Sequence, residues 1–491
     1  MPKPAPAIEH LLRRAGFGVS EADKATFADG VPYRQAVDRL VAFSGETDVD
    51  DSIGKSGFLG TTVTGGFAPN TNITHARQRW LFRMVHSPAP LQERMALLWH
   101  HHFATGYNKI AGIYGGADAA RMMDAKPSTD PARQMGQIEM LRQNAFGSFA
   151  GMLLQVAQDP AMLVWLDGIT NVKAKPQENF GRELMELFTI GVGEFAESDV
   201  YAAARVFTGW NLLRSGAGAS SSYRFVYNPA QHDTGAKEFT FPVNSMGGMG
   251  RQPRASNVIP ARDANGGMQD GLDLIQALAY HPLTARRLAR KFWTFFVSET
   301  EPAPDSFVNE IAAVYLNNRT SIRATLRAVL ASAEFNDENR AFQRYAWPVE
   351  FVVRSLREIG WAGFSANDAL TPLTSMGQTL YEPPDVAGWD LGLAWFTTGG
   401  MLARLNFASQ LALNQRVAIR DASRPWAGSA NSMVDFCYDR LSLPPATLDN
   451  QVALVDYALA GGAWTGTDAQ LLIKAPGMMH LLAGSAEYQL V

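Results

Sequence analysis

Two glutamates, Glu183 and Glu186, have the residue type and spacing best suited to chemistry. They lie in residues 176–210, which we predict to be helical, and a spacing of three there places both carboxyl groups along one side beside Arg182. If Arg182 keeps one carboxylate ionised while poorer solvation raises the pKa of the other, the pair supplies a base and an acid. Glycosidic bonds are cleaved by such pairs. The stretch therefore predicts a hydrolase that acts on a carbohydrate or another polar polymer.

The same spacing also has a purely structural explanation. Arg182 and Glu186 are four positions apart, and an ion pair of this kind on a helix surface contributes about 0.2–0.5 kcal/mol to stability. Leu184, Leu187 and Phe188 supply the apolar stripe that an amphipathic helix needs. The sequence leaves the catalytic and the structural explanation open.

A second polar group lies in loop-like sequence, where His232 and Asp233 are adjacent and Lys237 follows. An aspartate beside a histidine can fix the imidazole tautomer and make the ring a general acid or base near neutral pH. We expect His232 and Asp233 to support the glutamate pair, and Lys237 and Asn179 to contact substrate. The alternative is a turn closed by the aspartate, with solvent-exposed ends.

Three tryptophans in loop-like sequence are candidates for stacking on a sugar ring. Trp210 and Trp389 each follow a glycine, and Trp395 lies in a segment rich in small residues. An indole in such a position either offers its face to a ligand or covers an edge of the core. We expect the tryptophans to form a substrate platform, with the core edge as the alternative.

His100 and His102 are candidate metal ligands. Together with Glu183 or Glu186 from another helix they would give the mixed imidazole and carboxylate set that suits Zn, Fe or Mn. A spacing of two is poor for one helical face, so the hypothesis requires the helix to end at Trp99 or His100. No HExxH or ExxH motif supports it. A divalent metal is therefore one hypothesis, and structural, hydrogen-bonded or capping histidines are the other.

Several classes of function lack support in the sequence. It contains no Walker loop, no GxGxxG motif after a strand, no GxSxG elbow and no CxxC pair. The formal net charge of −4 and the absence of a run of Lys and Arg argue against nucleic acid as a partner. The single cysteine, Cys437, excludes an internal disulfide, and we expect it to fill part of the core.

Composition and periodicity predict the architecture that positions these residues. Hydrophobic residues make up 46% and charged residues only 18% of the 491 positions, which indicates a large interior. Long segments of helical period far outnumber the two strand-like runs at 223–227 and 239–242. We therefore predict a mainly α protein, a large irregular helical bundle or toroid-like single domain over residues 1–491. Residues 213–268, rich in Gly, Ser, Asn and Pro, are expected to form a loop-rich insertion with a short β-hairpin.

One predicted helix carries a basic face opposite an aromatic one. Its cations are Arg286, Arg287, Arg290 and Lys291. A charge run of this kind is usually a solvated surface, so we expect solvent exposure, with an anion-binding site as the alternative.

The sequence also bears on compartment. The first residues lack the apolar core of a secretory signal, and no run of about eighteen apolar residues would span a bilayer. We expect a soluble protein without a transmembrane segment. As written it would be cytoplasmic, and it would be periplasmic or secreted if a signal peptide has been removed.

A series of blocks along the chain resembles one known family. The blocks, in order, are RRAGFG, LLWHHHFATG, NVKAKPQENFGRELMELFTIGVGEF, SDVYAAARVFTGW, NPAQHDTGAK, HPLTARRLARKFWTFF and YEPPDVAGWDLGLAW. Together they are similar to the bacterial family known as domain of unknown function eighteen hundred, from about residue 9 to about residue 408. In that family an amide residue is more usual at the position of His101, so the resemblance carries over to His100 and His102 only.

The resemblance implies a helical fold and a shared set of polar motifs but no reaction. Members of the family are often exported and are often found beside sulfatase-like or phosphatase-like proteins, which implies a partner of that kind. A second hypothesis follows, in which the protein is a non-catalytic binding or assembly protein that works with a co-encoded enzyme. An enzyme requires its glutamates in an open pocket, whereas an assembly protein is expected to bury its polar groups fully hydrogen-bonded.

Overall fold

The fold is described by a computed structural model that covers residues 4–28, 30–42, 48–243 and 256–491. Within these ranges helices predominate and the strands form only two small two-stranded sheets. The mainly α prediction is confirmed, whereas the single-domain assignment stays a prediction.

The N-terminal third is helical throughout its regular structure. Its helices are α1 (Pro6–Ala15), α2 (Glu21–Thr26), α3 (Tyr33–Val41), α4 (Ile73–His86), α5 (Pro90–His102), α6 (Tyr107–Tyr114), α7 (Gly116–Asp124), α8 (Gln137–Gln143), α9 (Phe149–Ala157) and α10 (Pro160–Trp165). Prolines in the first turn begin α1, α5 and α10, because a first-turn residue needs no backbone N–H donor.

The middle of the chain mixes helices and strands. Its elements are α11 (Asn179–Glu183), α12 (Glu197–Val206), β1 (Trp210–Ser215), β2 (Ser222–Tyr227), β3 (Lys237–Glu238), β4 (Val258–Ile259), α13 (Met268–Ala279) and α14 (Pro282–Phe292). Two π-helical turns extend the helices that precede them: the first π turn (Leu184–Phe188) continues α11, and the second π turn (Trp293–Val297) continues α14.

The C-terminal part is again helical. Its helices are α15 (Asp305–Asn317), α16 (Ile322–Ala331), α17 (Pro348–Ile359), α18 (Ala366–Ser375), α19 (Thr398–Asn414), α20 (Arg416–Ser423), α21 (Ala430–Arg440), α22 (Leu448–Leu459) and α23 (Asp468–Ala483). Cys437 on α21 is buried, as expected.

Helices α5 and α17 form the centre of the core. Every residue of α17 is buried, and so is every residue of α5 except Gln92. Burial on all sides is typical of a central helix. The charges that these helices carry are paired inside the protein: Arg94 of α5 lies 2.8 Å from Glu350 of α17, which Arg344 also contacts at 2.6 Å.

The predicted β-containing excursion is confirmed. Strands β1 and β2 are antiparallel, with Trp210 opposite Tyr227 and Ser215 opposite Ser222, and β3 pairs antiparallel with β4. The strand expected at 239–242 is instead the short β3, which ends at Glu238. Residues 244–255 of the excursion lie outside the described residues.

The continuous helix predicted for residues 176–210 is wrong. The chain leaves the first π turn at Phe188, turns, and starts again as α12 at Glu197. Gly191 and Gly193 cause the break, because both have φ in the left-handed region, at 111° and 79°. In the described ranges, no helix combines the length and the apolarity that crossing a membrane requires.

Candidate functional site

Two π turns extend the helices that carry Glu183 and Arg287. A π turn inserts an extra residue into a helix, and such turns occur frequently at functional sites. Arg287 links α14 to the first π turn, since its Nη2 donates a hydrogen bond to the backbone carbonyl of Leu187 at 3.3 Å. The carboxylate of Glu186 also acts electrostatically on Arg287. The predicted glutamate pair therefore lies beside α14.

Glu183 and Glu186 flank the start of the first π turn. Both are half-buried, and neither carboxylate forms a hydrogen bond or an ion pair with any described residue. Burial raises the pKa of Glu183, the neighbouring charge of Glu186 raises it further, and Arg182 partly offsets both effects. Two adjacent carboxylates in unequal surroundings are the arrangement that separates a proton donor from a base.

The expected ion pair between Arg182 and Glu186 does not form. Arg182 instead makes a bidentate pair with Glu197 at the start of α12, at 2.9 and 2.7 Å, and reaches Glu178 at 3.5 Å. Its guanidinium turns towards the break between α11 and α12, where Glu197 becomes the nearer partner. The structural explanation of Glu186 as one half of a helix ion pair is therefore wrong.

A cleft runs along the cationic side of α14. One cavity of about 260 Å³ is lined by Leu98, His101, Arg287, Arg290, Lys291, Thr294, Phe295, Glu299, Trp347 and Leu391. A neighbouring cavity of about 320 Å³ shares Arg290, Thr294 and Glu299 with it and extends to residues 300–303. We refer to the two cavities together as the α14 cleft. Three of the cations expected to be a solvated face thus line a concave surface.

Lys291 is the most unusual group in the α14 cleft. It is half-buried and forms no hydrogen bond or ion pair with the described part of the chain. Burial lowers the pKa of its ammonium group to about 7, and the adjacent charge of Arg287 contributes. A lysine that is partly neutral near pH 7 can act as a proton carrier as well as a cation.

Glu299 is a buried carboxyl group in the wall of the same cleft. Its side chain is 1% exposed, and its Oε1 accepts a hydrogen bond from Trp347 Nε1 at 2.9 Å. Its Oε2 has no hydrogen-bond partner among the described residues. Burial raises the pKa of Glu299, and Arg344, 3.7 Å away, works in the opposite direction.

His101 also lines the cleft, as a neutral ring. Its Nδ1 accepts the backbone N–H of Trp389 at 3.0 Å, so the proton of the neutral imidazole is on Nε2. Burial lowers the pKa of His101 to about 3. An amide oxygen could accept the same backbone N–H, which is consistent with the amide found at this position in the family that the sequence resembles.

The predicted metal site is not assembled. Helix α5 continues to His102 instead of ending at Trp99, so the histidines diverge around its axis. His100 is enclosed by Trp80, Tyr381 and Trp389, and burial lowers its pKa to about 3.

His102 serves the core as well, because its Nε2 lies 3.1 Å from the carbonyl oxygen of Phe188. Among the described residues, no three His, Cys, Asp or Glu side chains are placed to hold a metal ion. Both candidate ligands thus match the structural alternative.

His232 belongs to a buried ionic cluster but not with its expected partner. Asp233 pairs with Arg205 at 2.8 Å, and the carboxylate nearest His232 Nε2 is that of Asp270, at 3.3 Å. Lys237 contacts the same Asp270 oxygen at 2.5 Å. The side chains of His232, Lys237 and Asp270 are fully buried.

Arg262 completes this cluster by pairing with the second oxygen of Asp270. We refer to His232, Lys237, Arg262 and Asp270 as the Asp270 cluster. The predicted dyad is wrong, because α13 brings Asp270 against His232 while Arg205 neutralises Asp233.

The remaining residues predicted to contact substrate are either buried in the core or hydrogen-bonded to a nearby residue. Trp210, Trp389 and Trp395 are 1%, 3% and 4% exposed, so their ring faces are packed against protein. Asn179 Nδ2 donates to Asp167 at 2.7 Å. The core-edge alternative therefore describes the tryptophans, and the platform prediction is wrong.

The sequence favours solvent exposure for the cations of α14, with an anion site only as the alternative, and it does not identify Glu299. A signal was present, because Arg287, Arg290, Lys291 and Thr294 have the spacing of one helical face. Only the fold distinguishes a face that meets solvent from one that lines a cleft. Glu299 carries no motif, and its burial depends on Trp347 from a distant segment.

The fold and this site define a large, mainly α-helical protein with a cationic cleft beside two π turns. The chain belongs to the family described as "Protein of unknown function (DUF1800)", whose family model matches residues 10–490. The match extends the similarity seen in the sequence blocks to the C-terminal helices. No curated protein and no solved structure matches the chain.

Proposed function

We propose that this protein is a hydrolase that acts on a carbohydrate or another polar polymer through Glu183 and Glu186. The observation that supports the proposal is the state of the two carboxyl groups: both are half-buried, and neither is neutralised by a bond to a described residue. A pair held in this way is free to exchange protons with a ligand.

The two glutamates take different roles in the proposed reaction. Glu183, whose pKa is raised by burial and by Glu186, donates its proton to the leaving oxygen of the scissile bond. Glu186, beside the positive charge of Arg287, removes a proton from the attacking water. Water supplies the hydroxyl group to one product and the proton that restores the pair, so the reaction balances as a hydrolysis.

A second candidate is the non-catalytic assembly protein, working with a sulfatase-like or phosphatase-like partner. The observation that favours it is the burial of two other predicted site residues: the side chains of His232 and Lys237 are inaccessible, and both contact the buried Asp270. Under this hypothesis the polar motifs of the family hold the fold together, and substitution of the glutamates leaves partner binding intact.

The test compares Glu183→Gln and Glu186→Gln with the unmodified protein in a reducing-end assay on a panel of neutral and acidic polysaccharides. Loss of an acid or base is expected to slow turnover by about 10²–10⁴-fold. Glu178→Gln is the matched control, because Glu178 is an exposed glutamate just before α11 and is expected to keep full turnover.

Circular dichroism and thermal unfolding establish that each variant is folded. Full turnover by both glutamine variants would show that the assignment is wrong. The absence of reducing ends from every polysaccharide, with the unmodified protein folded, would reject carbohydrate hydrolysis and favour the assembly protein.

A further inference from the structure

The cations of α14 are not neutralised as surface cations usually are. Arg290 has one ion pair, with Asp305 at 3.9 Å, and Lys291 has none with the described residues. Arg287 donates to a backbone carbonyl, and Glu186 acts on it without forming an ion pair.

The acidic residues in the cleft wall are engaged elsewhere. Glu299 is buried against Trp347 and Arg344, and Glu301 pairs with Arg340 at 3.3 Å. Positive charge therefore predominates at the cleft surface.

Arg286, which immediately precedes Arg287 on the same helix, contrasts with the cations of the cleft. It pairs with Asp305 at 3.2 Å, and its guanidinium also donates to Asn309. It is absent from the residues that line the α14 cleft. One helix thus has a paired cation on its outer side. On its cleft side, Arg287 and Lys291 have no carboxylate partner among the described residues, and Arg290 has only the longer contact with Asp305.

Holding the half-buried Arg287 and Lys291 in a concave surface is unfavourable without a counter-charge. Transfer of a charged group out of water destabilises it unless an opposite charge or hydrogen-bond acceptors compensate. Burial lowers the pKa of both Arg287 and Lys291, which is the signature of that cost. An anionic ligand would supply the missing compensation, and Arg in particular suits the geometry of an oxyanion.

The cleft also offers one accessible apolar side chain. Leu391 lines the cavity that contains Lys291 and is 44% exposed, whereas Phe295 and Trp347, which line the same cavity, are buried. A ligand that contacts both the cations and Leu391 has an oxyanion and an apolar face, as a sugar ring with an acidic substituent does. A neutral sugar would leave the cations without partners, and a small inorganic anion would leave Leu391 uncovered.

We propose that the α14 cleft binds an acidic sugar unit, with its oxyanion at Arg287, Arg290 and Lys291 and its apolar face against Leu391. The inference rests on the proposed function in one respect, because it makes the substrate of the Glu183 and Glu186 pair an acidic polymer. The oxyanion is a carboxylate, a phosphate or a sulfate group, which have the same recognition chemistry.

The experiment measures binding of glucuronate, glucose 6-phosphate, glucose 6-sulfate and neutral glucose by isothermal titration calorimetry at low ionic strength. At least one acidic sugar is expected to bind about tenfold or more tightly than glucose, because one hydrogen bond to a charged group is worth about 1.5–3 kcal/mol. The tightest of the three identifies the oxyanion. Raising the salt concentration is expected to weaken that binding.

Two variants locate the site. Arg290→Gln and Lys291→Met are each expected to weaken the tightest acidic sugar by about tenfold or more. Arg286→Gln is the matched control and is expected to bind as the unmodified protein does. Equal binding of glucose and all three acidic sugars, or unchanged binding by both cleft variants, would overturn the proposal.

Glu183→Gln separates this proposal from the hydrolase proposal. It is expected to keep the acidic-sugar affinity of the unmodified protein, because Glu183 is not among the residues that line the cleft. Acidic-sugar binding without any turnover would leave the cleft assignment standing and reject the hydrolase. Turnover that depends on Glu183, without preference for acidic sugars, would support the hydrolase and reject the cleft assignment.

Discussion

The Asp270 cluster and the α14 cleft contain similar residues, but the charges of the cluster are paired inside the protein and those of the cleft largely are not. In the Asp270 cluster, three cationic or ionisable partners surround one carboxylate, and the side chains of His232, Lys237 and Asp270 have no exposed surface. In the α14 cleft, Lys291 has no ion-pair partner among the described residues and lines a cavity. A charge that is paired internally is needed by its buried partner, so its removal destabilises the fold, whereas a charge without a partner beside open space is available to a ligand.

The difference in charge pairing arises from which elements carry the residues. The Asp270 cluster joins the loop after β2, strand β3 and helix α13, so each element supplies the partner that another lacks. The cations of the cleft come from one helix, and neighbours of equal sign on one helix cannot neutralise each other. Their compensation must come from outside the helix.

Substituting Asp270 is expected to have the largest effect on stability. Asp270→Ala leaves Lys237 and Arg262 without their carboxylate, and breaking a buried pair in this way costs about 3–5 kcal/mol. Denaturant unfolding measures the loss. Lys291→Met is the matched comparison, because it removes a cation that has no partner to lose, and its free energy of unfolding should be equal or higher. Similar losses in the two variants would contradict the distinction between cluster and cleft.

The buried histidines of α5 are expected to make stability fall in mild acid. Burial lowers the folded-state pKa of His100 and His101 to about 3, whereas an unfolded histidine titrates near 6.5. Below about pH 6.5 the unfolded chain therefore binds protons that the folded protein does not, so the free energy of unfolding decreases as the pH falls. Each histidine contributes a slope of up to about 1.4 kcal/mol per pH unit.

The free energy of unfolding measured between pH 7.5 and 5 checks this slope. His100→Leu should reduce the slope by the contribution of one histidine. Neither nitrogen of His100 has a hydrogen-bond partner among the described residues, so the variant loses no such bond. A pH dependence that is the same in the variant and the unmodified protein would count against the assignment.

The smallest effect is expected for the exposed pair of Arg182 and Glu197. Both side chains are accessible, at 32% and 79% exposure, and exposed ion pairs contribute about 0–1 kcal/mol. Arg182→Gln should therefore change the unfolding free energy by less than about 1 kcal/mol. Its effect on the pH profile of turnover is more informative: loss of the positive charge should shift the limb that depends on Glu183 to higher pH.

Local patterns in the sequence predicted the helical class well, and contacts between distant segments limited the rest. Helical period and first-turn prolines identify elements such as α5 and α14, because both signals are local. The partners of Arg182, His232 and Asp233 were misassigned, because Glu197, Asp270 and Arg205 reach them only through turns that local rules do not place. The prediction of one continuous helix over residues 176–210 is wrong for a related reason, since Gly191 and Gly193 break the helix.

Gly191, which helps to break the helix after the first π turn, and Gly388 determine how relatives that keep this site can be recognised. Gly191 has a left-handed φ, and a Cβ there would lie 3.0 Å from Arg287 Nη1. Gly388 also has a left-handed φ, and its Cβ would collide with the ring of His101. Any other residue at either place would displace a side chain of the cleft. A fingerprint for distant sequences that retain the cleft should therefore weight these two glycines together with Arg290 and Lys291, ahead of the more conspicuous run of histidines.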